Sequence, residues 1–242
     1  MPAAHPGSLK FIFPIPDSVI QSHPWISIII IGLAVRPVVV VLHELGHATI
    51  ATFFARQKIA IFLGSYGNRE RSANVKFGSW EIWFIGNPFL WQCGACIPSF
   101  PITNANYRTS YFLAGPILPV AISAIMADAA VFFHFGEYTT FVILVFFAVS
   151  VVDMIFNLIP FRHPLTEYEN TPVFTDGYSL RLALLRRKYP LEFFTAISQY
   201  SKHQYADAAR NFERALRRMP GNKVIDKNLQ ECYRFLAEDT RR

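Results

Sequence analysis

The chain has 242 residues, of which 52% are hydrophobic and only 17% charged, and its mean hydropathy is +0.26. A soluble domain usually carries about 25% charged residues, so ordinary cytosolic composition is excluded. Disorder, collagen and coiled coil are excluded with it, since each needs a polar or strictly repetitive bias. The net charge of +6 is concentrated at one end: residues 178–242 hold 14 Lys+Arg against 7 Asp+Glu, and the remainder sums to about zero. A basic tail on an apolar body points to a membrane protein with a cytosolic extension. The basic residues follow helical segments without a nucleic-acid motif, so no nucleic-acid partner is expected.

In chain order, residues 1–24 read as a leader without the basic start and uninterrupted apolar stretch of a cleaved signal. Three segments then have the length of about 20 apolar residues that a bilayer requires. They run from Trp25 to about Ala55, interrupted at Arg36-Pro37, from about Tyr111 to His134, and from about Thr139 to Phe161. Between the first two, residues 56–110 contain strand-like stretches at Ile59–Leu63 and Trp80–Ile85, separated by Gly and Asn as in short hairpins. The lone pair Cys93 and Cys96 lacks the second pair of a zinc ribbon and reads as two loop residues. The expected fold is mainly α: a polytopic membrane protein with three core transmembrane helices, a small β-hairpin or sheet insertion after the first, and a helical C-terminal tail. The expected domains are 1–24, a membrane-embedded core over 25–185, and a tail over 186–242.

Lys and Arg counts set the orientation. The leader has one, residues 56–110 have six, the link at 135–138 has none, and the region after 161 has fifteen. This pattern predicts an N-terminus outside and a C-terminus in the cytosol, with a bacterial inner membrane as the expected location.

The first span contains His43-Glu44-Leu45-Gly46-His47. On a helix, positions i and i+4 share a face, so both imidazoles can reach one zinc ion, and Glu44 stands beside it to take a proton from water. Two histidines and a glutamate within hydrocarbon are costly without a function. Catalytic zinc usually keeps three protein ligands and an open position, so a third ligand is expected.

The third span ends in Asn157-Leu158-Ile159-Pro160, and Asp176-Gly177 follows after a loop; the second span carries Leu113-Ala114-Gly115-Pro116. Together with His43–His47, these motifs resemble the site-2 protease family of intramembrane zinc metalloproteases over about residues 25–185. The resemblance implies one zinc per chain held by His43, His47 and Asp176, with Glu44 as general base. It also implies that Asn157 lines the site for substrate or oxyanion, and that the reaction is hydrolysis of peptide bonds in membrane-associated protein substrates. The 56–110 segment would accept an extended substrate as an added strand. Two departures stand out. Fifteen residues separate Pro160 from Asp176 and include His163, Glu167 and Glu169, each a possible replacement ligand; and Pro119 occupies a position where relatives often carry Asn.

Asp153 lies four residues before Asn157 and shares its face. It reads either as a partner holding a zinc histidine or as a structural carboxylate on the water side. Counted at 1.5 Å per residue, Arg36 and Asp128 lie at similar depths and are expected to pair.

The tail pattern Ala208, Phe212, Ala215, Leu216 and Pro220 has the spacing of the second helix of a tetratricopeptide repeat. Its flanking helices would be Leu191–Lys202 and Lys223–Ala237. The apolar seam is expected to need burial against the body, a second copy or a protein partner. The alternative to an active protease is an inactive protease-fold adaptor that recruits partners through these helices.

Overall fold

The computed structural model describes residues 23–65, 67–160, 162–168 and 171–239, with 162–168 and 171–173 described as backbone only. The expected leader therefore lies almost wholly outside the described residues. The chain is mainly helical and divides between Leu180 and Arg181 into two compact units.

In the first unit, helix α1 spans Pro24–Thr49 and continues into a single π turn at Ile50–Phe54. Pro24 suits the first turn, whose N–H groups have no intrahelical acceptor. The helix runs without a break through Arg36-Pro37, where the apolar sequence is interrupted. Pro37 removes one backbone hydrogen bond, but it is buried with Val35 and Val39, and packing carries the helix through. Helix α2, Ala105–Phe132, starts earlier than its apolar stretch because Asn104 caps it, accepting from the N–H groups of Asn106 and Tyr107. Helix α3, Glu137–Leu158, follows a link of a few residues and so runs antiparallel to α2.

The three helices pack on one another. Ile31, Val35 and Val39 of α1 meet Val145 and Phe146 of α3. Helix α1 crosses α2 at a backbone-to-backbone contact, where a Cβ added to Gly46 would lie 2.2 Å from the Ala114 carbonyl oxygen. A small residue is required there. Between 28% and 33% of each helix's apolar window is buried, so most of the apolar surface faces outward, at residues such as Ile29, Leu33, Ile125, Val131 and Ile155. All three helices are long and apolar enough to cross a membrane.

The segment between α1 and α2 forms a four-stranded sheet of β1 (Ile59–Leu63), β2 (Ala73–Phe77), β3 (Trp80–Phe84) and β4 (Gly94–Pro98), in the order β2-β3-β1-β4. β1 and β3, expected as hairpin strands, are instead parallel, with Ile61 opposite Ile82. The reason lies in β2: this exposed stretch takes the hairpin position against β3. The sheet's apolar side, Ile59, Ile61 and Leu63, packs with Val40, Ala48 and Tyr111. The sheet therefore sits at the end of the bundle where α1 ends, α2 begins and α3 ends. After α3, β5 (Arg162–Tyr168) and β6 (Thr171–Phe174) form an antiparallel pair, and helix α4 (Asp176–Lys188) follows.

The second unit comprises the end of α4 and helices α5 (Leu191–Ser201), α6 (Tyr205–Arg218) and α7 (Lys223–Asp239). Ala208, Phe212 and Ala215 of α6 are fully buried among Phe193 and Ala196 of α5 and Ile225, Leu229 and Cys232 of α7. A third helix closes over the seam, so these residues are buried within the unit itself. Gly221, at φ +76°, makes the α6–α7 turn, and Asn222 caps α7 through the N–H groups of Val224 and Ile225.

Candidate metal centre

His43 and His47 occupy successive turns of α1 and are both buried. Their Nε2 atoms lie 3.2 Å apart. Asp176, the first residue of α4, meets both: its Oδ2 is 2.9 Å from Nε2 of His43 and 3.3 Å from Nε2 of His47. A tetrahedral ion with bonds of about 2.0–2.1 Å has ligand atoms about 3.3 Å apart, so this triangle has the dimensions of one face of such a site. Two imidazole nitrogens and a carboxylate oxygen also form a donor set that divalent first-row metals accept. This cluster could hold a metal ion.

The far side of each imidazole is anchored. His47 Nδ1 donates to the Tyr111 carbonyl at 2.6 Å, and His43 Nδ1 donates to Asp153 Oδ2 at 3.2 Å. With the protons on Nδ1, both Nε2 lone pairs are left for the ion. Burial disfavours the charged form of Asp176, but His47 and His43 beside it hold its carboxyl well below the usual carboxylate range.

Asp176 reaches the histidines across 133 residues of sequence, and two contacts bring it there. Thr175 donates its hydroxyl to the Ile159 carbonyl at 2.8 Å, while its oxygen accepts from the Tyr178 N–H at 3.3 Å. At Gly177 a Cβ would lie 2.0 Å from the Leu158 carbonyl oxygen, so the start of α4 lies directly on the end of α3. Of the residues after Pro160, Arg162–Tyr168 and Thr171–Phe174 form the β5–β6 pair, and Thr175 returns beside Ile159. Of the possible replacement ligands, the side chains of His163 and Glu167 and all of Glu169 lie outside the described residues.

Glu44 is buried beside the cluster, and its Oε2 has no hydrogen-bond partner among the described residues. An orphaned carboxylate oxygen next to a set of metal donors suits a proton acceptor for water. The backbone of β4 presses against it: a Cβ on Gly94 would lie 2.6 Å from Glu44 Oε1 and 2.7 Å from its Cγ. Gly115 has the same role on the other flank, since a Cβ there would lie 2.3 Å from His47 Nε2. The hydroxyl of Tyr111 donates to the Cys96 carbonyl, tying β4 to α2.

A cavity of about 600 Å³ opens onto the cluster, walled by α1, α2, α3, β4 and the start of α4. Asn157 lines it, with its side-chain amide donating to the Asp153 carbonyl at 3.0 Å. Cys93 and Cys96 line it too, and Cys96 belongs to strand β4, not to a loop as expected. Burial and then the nearby Glu44 push the Cys96 thiol above the ordinary thiol range, and among the described residues the converging ligand atoms are those of His43, His47 and Asp176.

The pairing expected for Arg36 is corrected. Arg36 forms an ion pair with Asp153 Oδ1, and Asp128 is exposed on α2. Depth counted along separate helices ignores which way each face turns. Arg36 precedes His43 by seven residues, two turns on the same face, and so meets the same α3 residue. That spacing was the available signal. Gly94 and Tyr111 had none, because their roles come from contacts between elements. No family model, curated protein or solved structure matches the chain, so the residues themselves carry the functional reading.

Proposed function

We propose that the chain is an intramembrane zinc endopeptidase of the site-2 protease kind, hydrolysing peptide bonds of membrane-associated protein substrates. One observation carries the reading: three donor atoms converge at 2.9–3.3 Å beside a buried carboxylate oxygen that has no partner among the described residues. His43, His47 and Asp176 would hold one zinc ion, which when bound supplies a Lewis acid and lowers the pKa of water toward about 7. Glu44 takes the proton from the attacking water at Oε2 and passes it to the leaving amine. Outward apolar surface on three long helices supports a bilayer as the surroundings, with the N-terminus outside and the metal centre opening toward the cytosol. β4, at the edge of the sheet and against Glu44, offers an extended substrate backbone a strand to pair with. Asn157, on the cavity wall, is available to the substrate carbonyl.

The test is metal analysis of the purified full chain together with cleavage of a model transmembrane peptide. Wild type should carry one zinc per chain and cleave. Glu44→Gln should keep the zinc and lose about 10²–10⁴-fold in rate. A zinc-loaded wild type that cleaves no membrane peptide would favour the adaptor function.

A further inference from the structure

Arg36 lies outside the triangle of metal donors, yet it is the cation of this cavity nearest to them. It sits in an otherwise apolar stretch of α1, with a side chain only 28% exposed and paired with Asp153, which is 4% exposed. A buried charge pair of this kind is rarely retained for stability alone, because desolvation offsets most of the attraction.

We propose that Arg36 is a positioning residue of the metal centre: through Asp153 it holds His43 in the tautomer and ring orientation that turn Nε2 toward the ion. The inference rests on reading His43, His47 and Asp176 as a metal site.

The two imidazoles are supported differently. His47 leans on the Tyr111 carbonyl, a backbone acceptor fixed by helix α2. His43 leans on a carboxylate at the end of a rotatable side chain. A carboxylate can turn about its last torsion and present either oxygen. Arg36 takes Oδ1 and leaves Oδ2 facing His43 Nδ1. The far nitrogen of His43 then finds an acceptor for its proton, which leaves Nε2 to face the ion when one is bound. The guanidinium also balances the charge of Asp153, so the support adds no net charge to the apolar interior. Arg36 and His43 lie on one face of α1 and Asp153 on α3. The same three side chains therefore fix the distance between the two helices at the depth of the metal.

The experiment measures Zn²⁺ and Co²⁺ affinity of the purified full chain in detergent by competition with a chromophoric chelator, and records the Co²⁺ absorption spectrum. Wild type should bind one ion. Arg36→Met and Asp153→Asn should each weaken binding by about 10–100-fold, the usual loss when a ligand's outer partner is removed. Arg36→Lys, which keeps the charge but has one donor centre, should fall between them and wild type. The double variant R36M/D153N should be no weaker than D153N alone, because Arg36 acts only through Asp153. The Co²⁺ spectrum should keep its intensity in all of them, since no ligand is lost. If Arg36→Met unfolds, the Lys variant and the double variant decide. Wild-type affinity in R36M or R36K, or additive losses in the double variant, would overturn the assignment of Arg36 while leaving the metal site intact. A wild type that binds neither ion would overturn both.

Discussion

Thr175 and Ile159 are joined by a 2.8 Å hydrogen bond that closes the seventeen-residue excursion between helix α3 and the candidate ligand Asp176. Thr175 is buried, and its oxygen also caps the first turn of α4. Thr175→Val keeps the shape and removes the hydroxyl. At about 0.5–1.5 kcal/mol for a typical hydrogen bond, metal affinity should fall by a factor of about 2–12, and Thr175→Ser should restore most of it. Equal affinity in the Val variant would mean that Gly177 and Leu158 suffice to place Asp176.

The third ligand is tested directly at Asp176. Asp176→Ala should lower metal occupancy as severely as His47→Ala, measured by metal analysis after dialysis against a weak chelator. Full occupancy would move the ligand to His163, Glu167 or Glu169.

Two glycines separate the roles of the two flanks. Gly115→Ala drives a methyl into the His47 ring, which the Tyr111 carbonyl holds in place. Overpacking costs about 1–3 kcal/mol, so this variant should lose metal together with thermal stability. Gly94→Ala meets Glu44 instead. It should keep its metal while the rate of peptide cleavage falls, and metal loss in Gly94→Ala would show that β4 supports the ligands as well as the base.

The bundle geometry predicts which segments share a side of the membrane. The ends of α1 and α3 and the start of α2 lie together with the sheet, and among the described residues no helix after α3 is long and apolar enough to cross a membrane, so single cysteines replacing Arg71 and Lys227 should respond alike to a membrane-impermeant thiol reagent. In sealed cells neither should react, and after lysis both should. Labelling of both in sealed cells would reverse the proposed orientation, and labelling of Arg71→Cys alone would show that the two segments lie on opposite sides.

The second unit has its own core. Phe212→Ala empties a fully buried position of that core and should cost about 3–5 kcal/mol. The tail should become sensitive to proteolysis after Lys188 while metal stoichiometry stays at the wild-type value. Loss of metal in this variant would show that the two units are not energetically separate.

Much of this protein is written at short range. The i and i+4 spacing of His43 and His47, the three apolar stretches and the Ala208–Phe212–Ala215 seam each depend on one element's own period, so sequence alone determined which side chains share a face. Sequence could not determine what that face meets. The partner of Arg36 depends on how α1 is rotated against α3. The parallel pairing of β1 and β3 depends on β2, which lies between them in the chain and takes the antiparallel place beside β3. Asp176 reaches His43 and His47 because Gly177 rests on Leu158 and Thr175 bonds to Ile159, and Gly46 allows α1 to approach the backbone of α2. Local periodicity sets the direction of a side chain from its own axis, whereas the relative shift and rotation of two axes come from steric fit between distant residues. Only the tertiary structure decides that fit.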